Sequence, residues 1–238
     1  MHMSTAIHPF VEETRFGNWF LNTGIWKVHV IRRALDLLQP LLPDPSQRFA
    51  RILDVGCGFG HSFAELSARF APDEIVALDA DPAMNTRAGA AAAKCASKVT
   101  LHAANAAYID LPDASFDMLL CHQTFHHIVE QEAAMAEFFR VLKPGGVLLF
   151  AESTKRYIYS WMIRTFFRHP MDVQRTSEEY VAMIREAGFD LPDARINLPY
   201  LWWSREDLGF FETVRLVTPP PSGQREETLV NAVALKPL

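Results

Sequence analysis

This chain of 238 residues has few cysteines, little net charge and no long apolar run, and each shortage excludes a class of protein. Its three cysteines, Cys57, Cys95 and Cys121, form no C-x-x-C pair, which argues against a disulfide framework or a zinc knuckle. A formal charge of −5 offers little attraction for nucleic acid. No stretch approaches the roughly 20 apolar residues that span a bilayer, and the N-terminus lacks a basic start followed by an apolar run. We expect a soluble, cytoplasmic protein with no nucleic-acid partner and no transmembrane segment.

Hydrophobic residues make up 49% of the chain, which is enough for one sizeable core. Between residues 51 and 151, helical patterns alternate with five β-rich runs: RILDVG, EIVALD, KVTLH, FDMLLC and GVLLFAE. This alternation predicts parallel βαβ units. DARINLP and LVNAVALKP predict two final strands. The predicted fold class is α/β, a doubly wound, mostly parallel seven-stranded sheet with helices on both faces.

Further helices are predicted around this block. Residues 16–38 form an amphipathic pattern rich in aromatic side chains. Residues 154–187 predict two helices, the second beginning at a capping box of Thr176 and Glu179. Asp81-Pro82 predicts the N-cap and first turn of the helix after the second strand.

The predicted organisation is an N-terminal helical cover, residues 1–48, and one domain, residues 49–238. Within the domain, residues of about 154–175 are predicted to form a helical lid insertion.

A glycine-rich turn, GCGFG at residues 56–60, ends the first predicted strand. Glycines at this place let a ligand approach bare backbone at the N-terminus of the next helix. A dinucleotide fold would have its last glycine at position 61, which is His61, and no Gly-Lys-Ser/Thr of a phosphate-binding loop follows. The spacing of the glycines therefore disfavours a nicotinamide-dependent oxidoreductase, although this function is kept as an alternative.

The segment ILDVGCGFG resembles the signature of class I S-adenosylmethionine-dependent methyltransferases. The resemblance continues in order through VALDADPAM, NAAYIDLPDASFDMLLC, the HH pair and FFRVLKPGGVLLFAES, and is closest in character to the type 11 subgroup that includes the ubiquinone and menaquinone C-methyltransferases. It covers residues 50–152. It implies a Rossmann-like sheet, S-adenosylmethionine as cofactor, S-adenosylhomocysteine as product, and methyl transfer to a small molecule.

The resemblance also implies how the cofactor is held. Asp54 is expected to attract the ammonium group, Asp79 to accept both ribose hydroxyls, and Asn105 to contact the adenine in place of the usual acidic residue. The remaining residues predicted to line the cofactor site are Gly56, Cys57, Gly58, Gly60, Ala80, Met84, Ala106 and Cys121. The alternatives are that Asp54 and Asn105 only stabilise turns and that Met84 belongs to the core.

Methyl transfer from a sulfonium depends mainly on placing the nucleophile, which can supply roughly 7–11 kcal/mol. A base is needed only where the acceptor must lose a proton, and then contributes about 10²–10⁴-fold. The candidate bases are His126, Glu152 and His122, at the ends of the fourth and fifth strands. A structural role for the histidine pair is the alternative. No metal site is expected, because no carboxylate or further cysteine completes one with Cys121, His122 and His126.

Aromatic residues outside the cofactor block suggest the acceptor, and the predicted acceptor-binding residues are Trp19, Trp26, Tyr157, Trp161 and Trp202. They predict an apolar lid around a hydrophobic, aromatic or lipid-like acceptor, or else a core for the added helices. KRYIYSWMIRTFFRHP leaves peripheral membrane contact open. We expect a monomer or homodimer with a small-molecule substrate, and a non-catalytic S-adenosylmethionine-binding protein is the second alternative.

Overall fold

The computed structural model describes residues 13–205, 208, 218 and 220–238. Seven strands are present in these residues: β1 (Arg51–Val55), β2 (Glu74–Asp79), β3 (Lys98–Ala103), β4 (Phe116–His122), β5 (Leu142–Ser153), β6 (Ile196–Asn197) and β7 (Leu229–Leu235). They form one sheet in the order β3-β2-β1-β4-β5-β7-β6. β7 pairs antiparallel with β5 and β6, and the other pairs are parallel. The doubly wound, mostly parallel seven-stranded sheet predicted from the sequence is confirmed.

Helices cover both faces of this sheet. In the described residues they are α1 (Arg15–Leu21), a π-helical segment (Trp26–Arg32), α2 (Arg33–Leu38), α3 (His61–Phe70), α4 (Met84–Ala92), α5 (Gln131–Val141), α6 (Lys155–Ile158), α7 (Trp161–Phe166) and α8 (Ser177–Glu186), with short 3-10 turns between some of them. None of the described helices is long and apolar enough to cross a membrane.

Two hydrophobic cores lie on opposite faces of the sheet because successive side chains of a strand point to opposite sides. On β1, Leu53 packs in one core with Phe138 of α5 and Ile184 of α8. Its neighbour Ile52 packs in the other core with Leu35 of α2. Each such side chain contributes about 1.5–3 kcal/mol when fully buried. The sheet is therefore a rigid base, and the carboxyl ends of its parallel strands are free to carry a site.

The single helix predicted over residues 16–38 is wrong in detail, since α1 ends at Leu21 and the π-helical segment begins only at Trp26. Between them, the Thr23 hydroxyl donates to the Phe20 carbonyl at 2.7 Å. Such a local bond from side chain to backbone competes with helix continuation. The helical backbone resumes at Gly24, so the break is confined to Asn22 and Thr23.

The helix after β2 begins at Met84, two residues later than Asp81-Pro82 predicts. Asp81 Oδ1 accepts a hydrogen bond from the Ala83 backbone N–H at 2.9 Å and holds the intervening residues as a turn. The aspartate thus stabilises the approach to the helix and does not cap its first turn.

The segment after β5 contains three helices, one more than predicted. The predicted capping box at the start of α8 is confirmed: the Glu179 N–H donates to the Thr176 hydroxyl at 3.3 Å, and the Thr176 N–H donates to the Glu179 carboxylate at 2.7 Å. The additional helix arises because residues 155–166 form two short helices, α6 and α7, which meet at Ser160.

Candidate functional site

Two neighbouring cavities open beside the carboxyl ends of the parallel strands. The first, here called the cleft, has a volume of about 470 Å³ and is lined by the glycine-rich turn together with residues at the ends of β1, β2 and β4. The second, here called the chamber, has a volume of about 320 Å³ and lies among residues of α1, α6 and α7. Five residues line both cavities: Glu13, Leu21, Trp26, Gln123 and His127. They therefore mark the wall where the two spaces meet.

The three glycines of the turn have left-handed backbones, with φ values of +75° at Gly56, +52° at Gly58 and +72° at Gly60. A β-carbon on Gly56 would lie 2.0 Å from Thr124 Oγ1, and one on Gly60 would lie 2.5 Å from the Phe63 ring. A β-carbon on Gly58 would meet nothing within 4 Å. Of the three, only Gly58 leaves free space on the cleft side.

Gly60, which was predicted to contact the cofactor, does not line the cleft in the structure. Gly60 is buried, is absent from the described lining of the cleft, and precedes α3 as its N-cap. The lack of a side chain there makes room for Phe63 and not for a ligand.

Asp79 joins the end of β2 to the glycine-rich turn. Its Oδ2 accepts a hydrogen bond from the Gly58 N–H at 2.9 Å, and its Oδ1 accepts one from the Asp81 N–H at 3.0 Å. The carboxylate is half-buried and lines the cleft. Because each carboxylate oxygen has two lone pairs, Asp79 retains acceptor capacity for a diol.

Asp54 is a buried acid in the wall of the same cleft. Burial raises its pKa from 3.8 to about 7, a hydrogen bond from the Ser62 hydroxyl opposes the rise, and the nearby Asp79 charge adds to it. A cation bound beside Asp54 would favour the ionised carboxylate. The position is suited to an ammonium group.

Asn105 lies in the cleft lining with Ala80 and Ala106. Its side-chain oxygen accepts a hydrogen bond from the Ala107 N–H at 2.9 Å, so it also stabilises the turn after β3. The amide N–H groups and the second lone pair of that oxygen remain as donors and acceptor for a ligand.

Two further residues predicted to line the cofactor site lie in the core instead. Met84 and Cys121 are both 0% exposed, and neither belongs to the described lining of the cleft. Met84 is on the side of α4 that faces the sheet core, and Cys121 points into the core on the opposite face. Cys57, by contrast, does line the cleft, where burial raises the pKa of its thiol.

His122, at the end of β4, is a buried residue of the cleft lining. Burial lowers its pKa to about 4, so its imidazole is neutral at pH 7. Its Nε2 has no hydrogen-bond partner among the described residues. The Trp26 indole packs edge-on against its ring, with centroids 6.1 Å apart.

Glu152 and His126 form a buried pair, with His126 Nδ1 2.6 Å from Glu152 Oε2. The other oxygen, Oε1, accepts hydrogen bonds from the Thr124 and Phe125 N–H groups, both at 2.7 Å. His126 lines the chamber, whereas Glu152 is 0% exposed and is absent from the described lining of either cavity. Glu152, one of the candidate bases, therefore does not face either cavity, because its oxygens hold the loop after β4.

Three of the five predicted acceptor-binding residues, Trp26, Tyr157 and Trp202, line the chamber. The other two do not: Trp19 is 62% exposed, Trp161 is 64% exposed, and both lie outside the described lining. On their short helices these two side chains point away from the chamber. Further aromatic lining residues, which the sequence analysis did not select, are Phe16, Phe20, Phe166, Phe167 and Trp203.

The chamber is closed on one side by contact between α1 and α7. The Phe16 ring lies 5.0 Å from that of Phe166, and the Phe20 ring lies 5.8 Å from that of Phe167. The Thr14 hydroxyl donates to the Phe166 carbonyl at 2.6 Å. The Phe-Phe pair at 166–167 was the sequence signal that would have indicated this wall.

A third histidine, His169, joins the His126-His127 pair at the chamber wall, and the sequence analysis did not predict it. Ring centroids lie 4.3 Å apart for His126 and His127, 5.1 Å for His126 and His169, and 4.6 Å for His127 and His169. Burial lowers the pKa of His169 to about 3 and holds that of His127 well below its usual value. All three line the chamber.

Comparison with known proteins shows which family part of this chain matches. Residues 53–150 match the family described as methyltransferase domain. Phosphoethanolamine N-methyltransferase of Triticum aestivum is 30% identical over 181 residues, which are 75% of this chain and 30% of the relative. Demethylmenaquinone methyltransferase of Deinococcus radiodurans is 32% identical over 121 residues, 50% of each chain. This chain thus spans 30% to 52% of the length of the first curated relatives it matches.

Among solved structures, an S-adenosylmethionine-dependent methyltransferase from Aquifex aeolicus shares the fold. It superposes with a TM-score of 0.64 over 92% of this chain and 96% of that one, at 18% identity. The strand order, the glycine-rich turn with acidic residues at the ends of β1 and β2, and the matched domain agree with one another. Residues 53–150 therefore belong to the type 11 methyltransferase domain family, and the chain shares the fold of class I S-adenosylmethionine-dependent methyltransferases.

Proposed function

We propose that this protein transfers a methyl group from S-adenosylmethionine to a carbon, oxygen or nitrogen of a small hydrophobic or aromatic acceptor. One observation carries the proposal: the cleft and the chamber share five lining residues, Glu13, Leu21, Trp26, Gln123 and His127. A cofactor in the cleft and an acceptor in the chamber would meet at this wall. Holding two reactants in contact is the main requirement of the reaction.

Features of the cleft fit the cofactor. The free space beside Gly58 admits a ligand close to the backbone, and the buried Asp54 carboxyl gains from a cation. Asp79 stands at the end of β2, where it would accept the ribose hydroxyls. When bound, S-adenosylmethionine supplies an electrophilic methyl group on a positively charged sulfur.

The lining of the chamber favours an apolar acceptor. It is mostly aromatic and aliphatic, and among the described lining residues there is no lysine or arginine and one acid, Glu13. Recognition of a phosphate normally uses cationic side chains. The phosphoethanolamine named for the plant relatives would find none here, whereas a substituted phenol or hydroquinone matches both the walls and a volume of about 320 Å³.

The described residues also include candidate bases that would take a proton from the acceptor. Of the three predicted bases, His122 and His126 line a cavity. His122 is neutral at pH 7, and its buried Nε2 has no protein partner among the described residues. It lies on the cleft side of Trp26, so it would accept a proton only from an acceptor hydroxyl that reaches past Trp26 toward the cofactor. Aromatic walls would keep water from competing for the methyl group.

The test has two stages. Isothermal titration should show saturable binding of S-adenosylmethionine and S-adenosylhomocysteine, and absence of binding to both would end the proposal. Methylation of a panel of alkyl hydroquinones, phenols and lipid-like enols should then exceed that of phosphoethanolamine. The two alternatives are not favoured: quenching of fluorescence by reduced nicotinamide would revive the oxidoreductase, and cofactor binding with no turnover across the panel would support a non-catalytic protein.

A further inference from the structure

We infer that His126, His127 and His169 form a binding site for one divalent transition-metal ion of the zinc class, open to the chamber. One nitrogen from each of the three rings lies within 4.8 Å of the other two. Zinc binds histidine nitrogen at about 2.0–2.1 Å, which places tetrahedral ligand atoms about 3.4 Å apart. The nitrogens have to approach one another by up to about 1.4 Å to reach that spacing.

The orientation of His126 is already that of a metal ligand. The Glu152 carboxylate lies 2.6 Å from its Nδ1 and accepts two backbone N–H groups through the other oxygen. A carboxylate in this setting takes the proton-bearing Nδ1 as its donor and leaves the lone pair on Nε2. Metal-binding histidines are commonly held in this way by a carboxylate behind them.

His169 is brought to the pair by a buried glutamine. The Gln174 side-chain amide donates to the His126 carbonyl at 2.8 Å and to the Pro170 carbonyl at 2.8 Å. This side chain is 6% exposed, so the two hydrogen bonds are shielded from water. They tie the loop after β4 to the loop that carries His169.

The composition of the cluster indicates the kind of ion. Imidazole ligands suit zinc, cobalt, nickel and copper, whereas magnesium and calcium prefer oxygen. Three protein ligands with a fourth position open to a cavity are typical of catalytic zinc sites. All three histidines line the chamber, and His127 also lines the cleft.

If methyl transfer takes place as proposed, the fourth position is suited to a hydroxyl oxygen of the acceptor. A bound metal lowers the pKa of a coordinated hydroxyl and orients it. This assignment rests on the proposed function. Metal binding itself does not, because it is measured without cofactor or acceptor.

The experiment uses the purified full chain, stripped of metal and titrated with Zn²⁺ against a chromophoric chelator. Wild-type protein should bind one equivalent. His127→Gln and His169→Gln should each weaken binding at least about tenfold, and Glu152→Gln about 10–100-fold, because the new amide would donate to Nδ1 and move the histidine proton to Nε2.

The matched control is His29→Gln, since His29 also lines the chamber but lies outside the cluster, and it should bind Zn²⁺ as the wild type does. Cobalt substitution gives a second readout: the visible bands of four-coordinate Co²⁺ should appear with wild-type protein and vanish in His169→Gln. Thermal melts and S-adenosylhomocysteine binding identify any variant that has merely unfolded. Zinc affinity equal in wild type and in the double variant His127→Gln/His169→Gln would overturn the site, while leaving the cofactor titration to decide the proposed function.

Discussion

The Gly58 N–H donates a hydrogen bond of 2.9 Å to Asp79 Oδ2, so the turn after β1 and the end of β2 are held together before any ligand arrives. Two elements of the cleft wall that lie apart in the chain are thereby fixed relative to one another. Preorganisation of this kind reduces the ordering cost of binding.

Gly58→Ala should lower S-adenosylhomocysteine affinity at least about tenfold while costing about 1–2 kcal/mol of stability from its left-handed backbone. The reason is that the added methyl group would enter cleft space and meet no protein atom within 4 Å. Gly60→Ala is the matched control, since its methyl group would overlap Phe63. Compared with Gly58→Ala, Gly60→Ala should lower the melting temperature more and the affinity for S-adenosylhomocysteine less. Calorimetric titration and thermal melts check both, and a reversed order of the two variants would contradict this view of the turn.

Asp54→Asn should make the ligand-free protein more stable above pH 7. In the folded protein Asp54 titrates near pH 7, compared with an ordinary value of 3.8. Between these values the folded state keeps a proton that the unfolded chain has lost, so the free energy of unfolding falls as pH rises. The free energy of unfolding of Asp54→Asn does not fall in this way. The difference in stability between the variant and the wild type should therefore shrink toward pH 4. Denaturant melts across this range measure it, and a wild-type stability curve parallel to that of the variant would refute it.

The same variant should bind S-adenosylhomocysteine more weakly. An amide cannot pair with the ammonium group as a carboxylate does. Wild-type affinity should rise as pH passes through about 7 and the Asp54 carboxyl ionises, whereas the affinity of Asp54→Asn should stay flat. Titrations at several pH values test this, with equal pH dependence in the two proteins as the opposing result.

Trp202→Ala should raise the KM for a hydrophobic acceptor at least about tenfold and leave cofactor affinity nearly unchanged, because its indole lines the chamber and not the cleft. Trp161→Ala removes the same side chain from a position outside the described chamber lining and should leave both values unchanged. Steady-state kinetics with the best acceptor of the panel distinguish the two. Equal effects at both positions would show that the chamber does not hold the acceptor.

His122→Gln should lower kcat by about 10²–10⁴-fold with a phenol or hydroquinone acceptor if its Nε2 removes the proton. With an acceptor that is already ionised in solution, His122→Gln should lower kcat much less, because no proton has to be removed. A merely structural role would reduce both rates alike, so comparison of the two acceptors at one pH is the measurement. Cofactor binding by the variant serves as the folding control.

The fold was predictable because its signals are local. Apolar runs such as residues 52–55 and 75–78 alternate with helical patterns, and this alternation permits few topologies. Asp54, Gly58 and Asp79 were named as cofactor residues through the resemblance of their motifs to class I methyltransferases, and the structure brings all three into the lining of the cleft. Met84 and Cys121 were misplaced because the facing direction of one side chain depends on helix start and strand register.

The sequence by itself determined the class of the sheet, which is doubly wound, mostly parallel and seven-stranded, and the glycine-rich turn after its first strand, because spacing and polarity along the chain are enough to specify them. Only the tertiary structure decided the composition of the chamber and the histidine cluster. His169 reaches His126 through hydrogen bonds of Gln174, and α1 meets α7 through phenylalanine rings, and neither contact has a signature in local sequence. Contacts between distant segments depend on the shape of the packed protein, which no single stretch of sequence records.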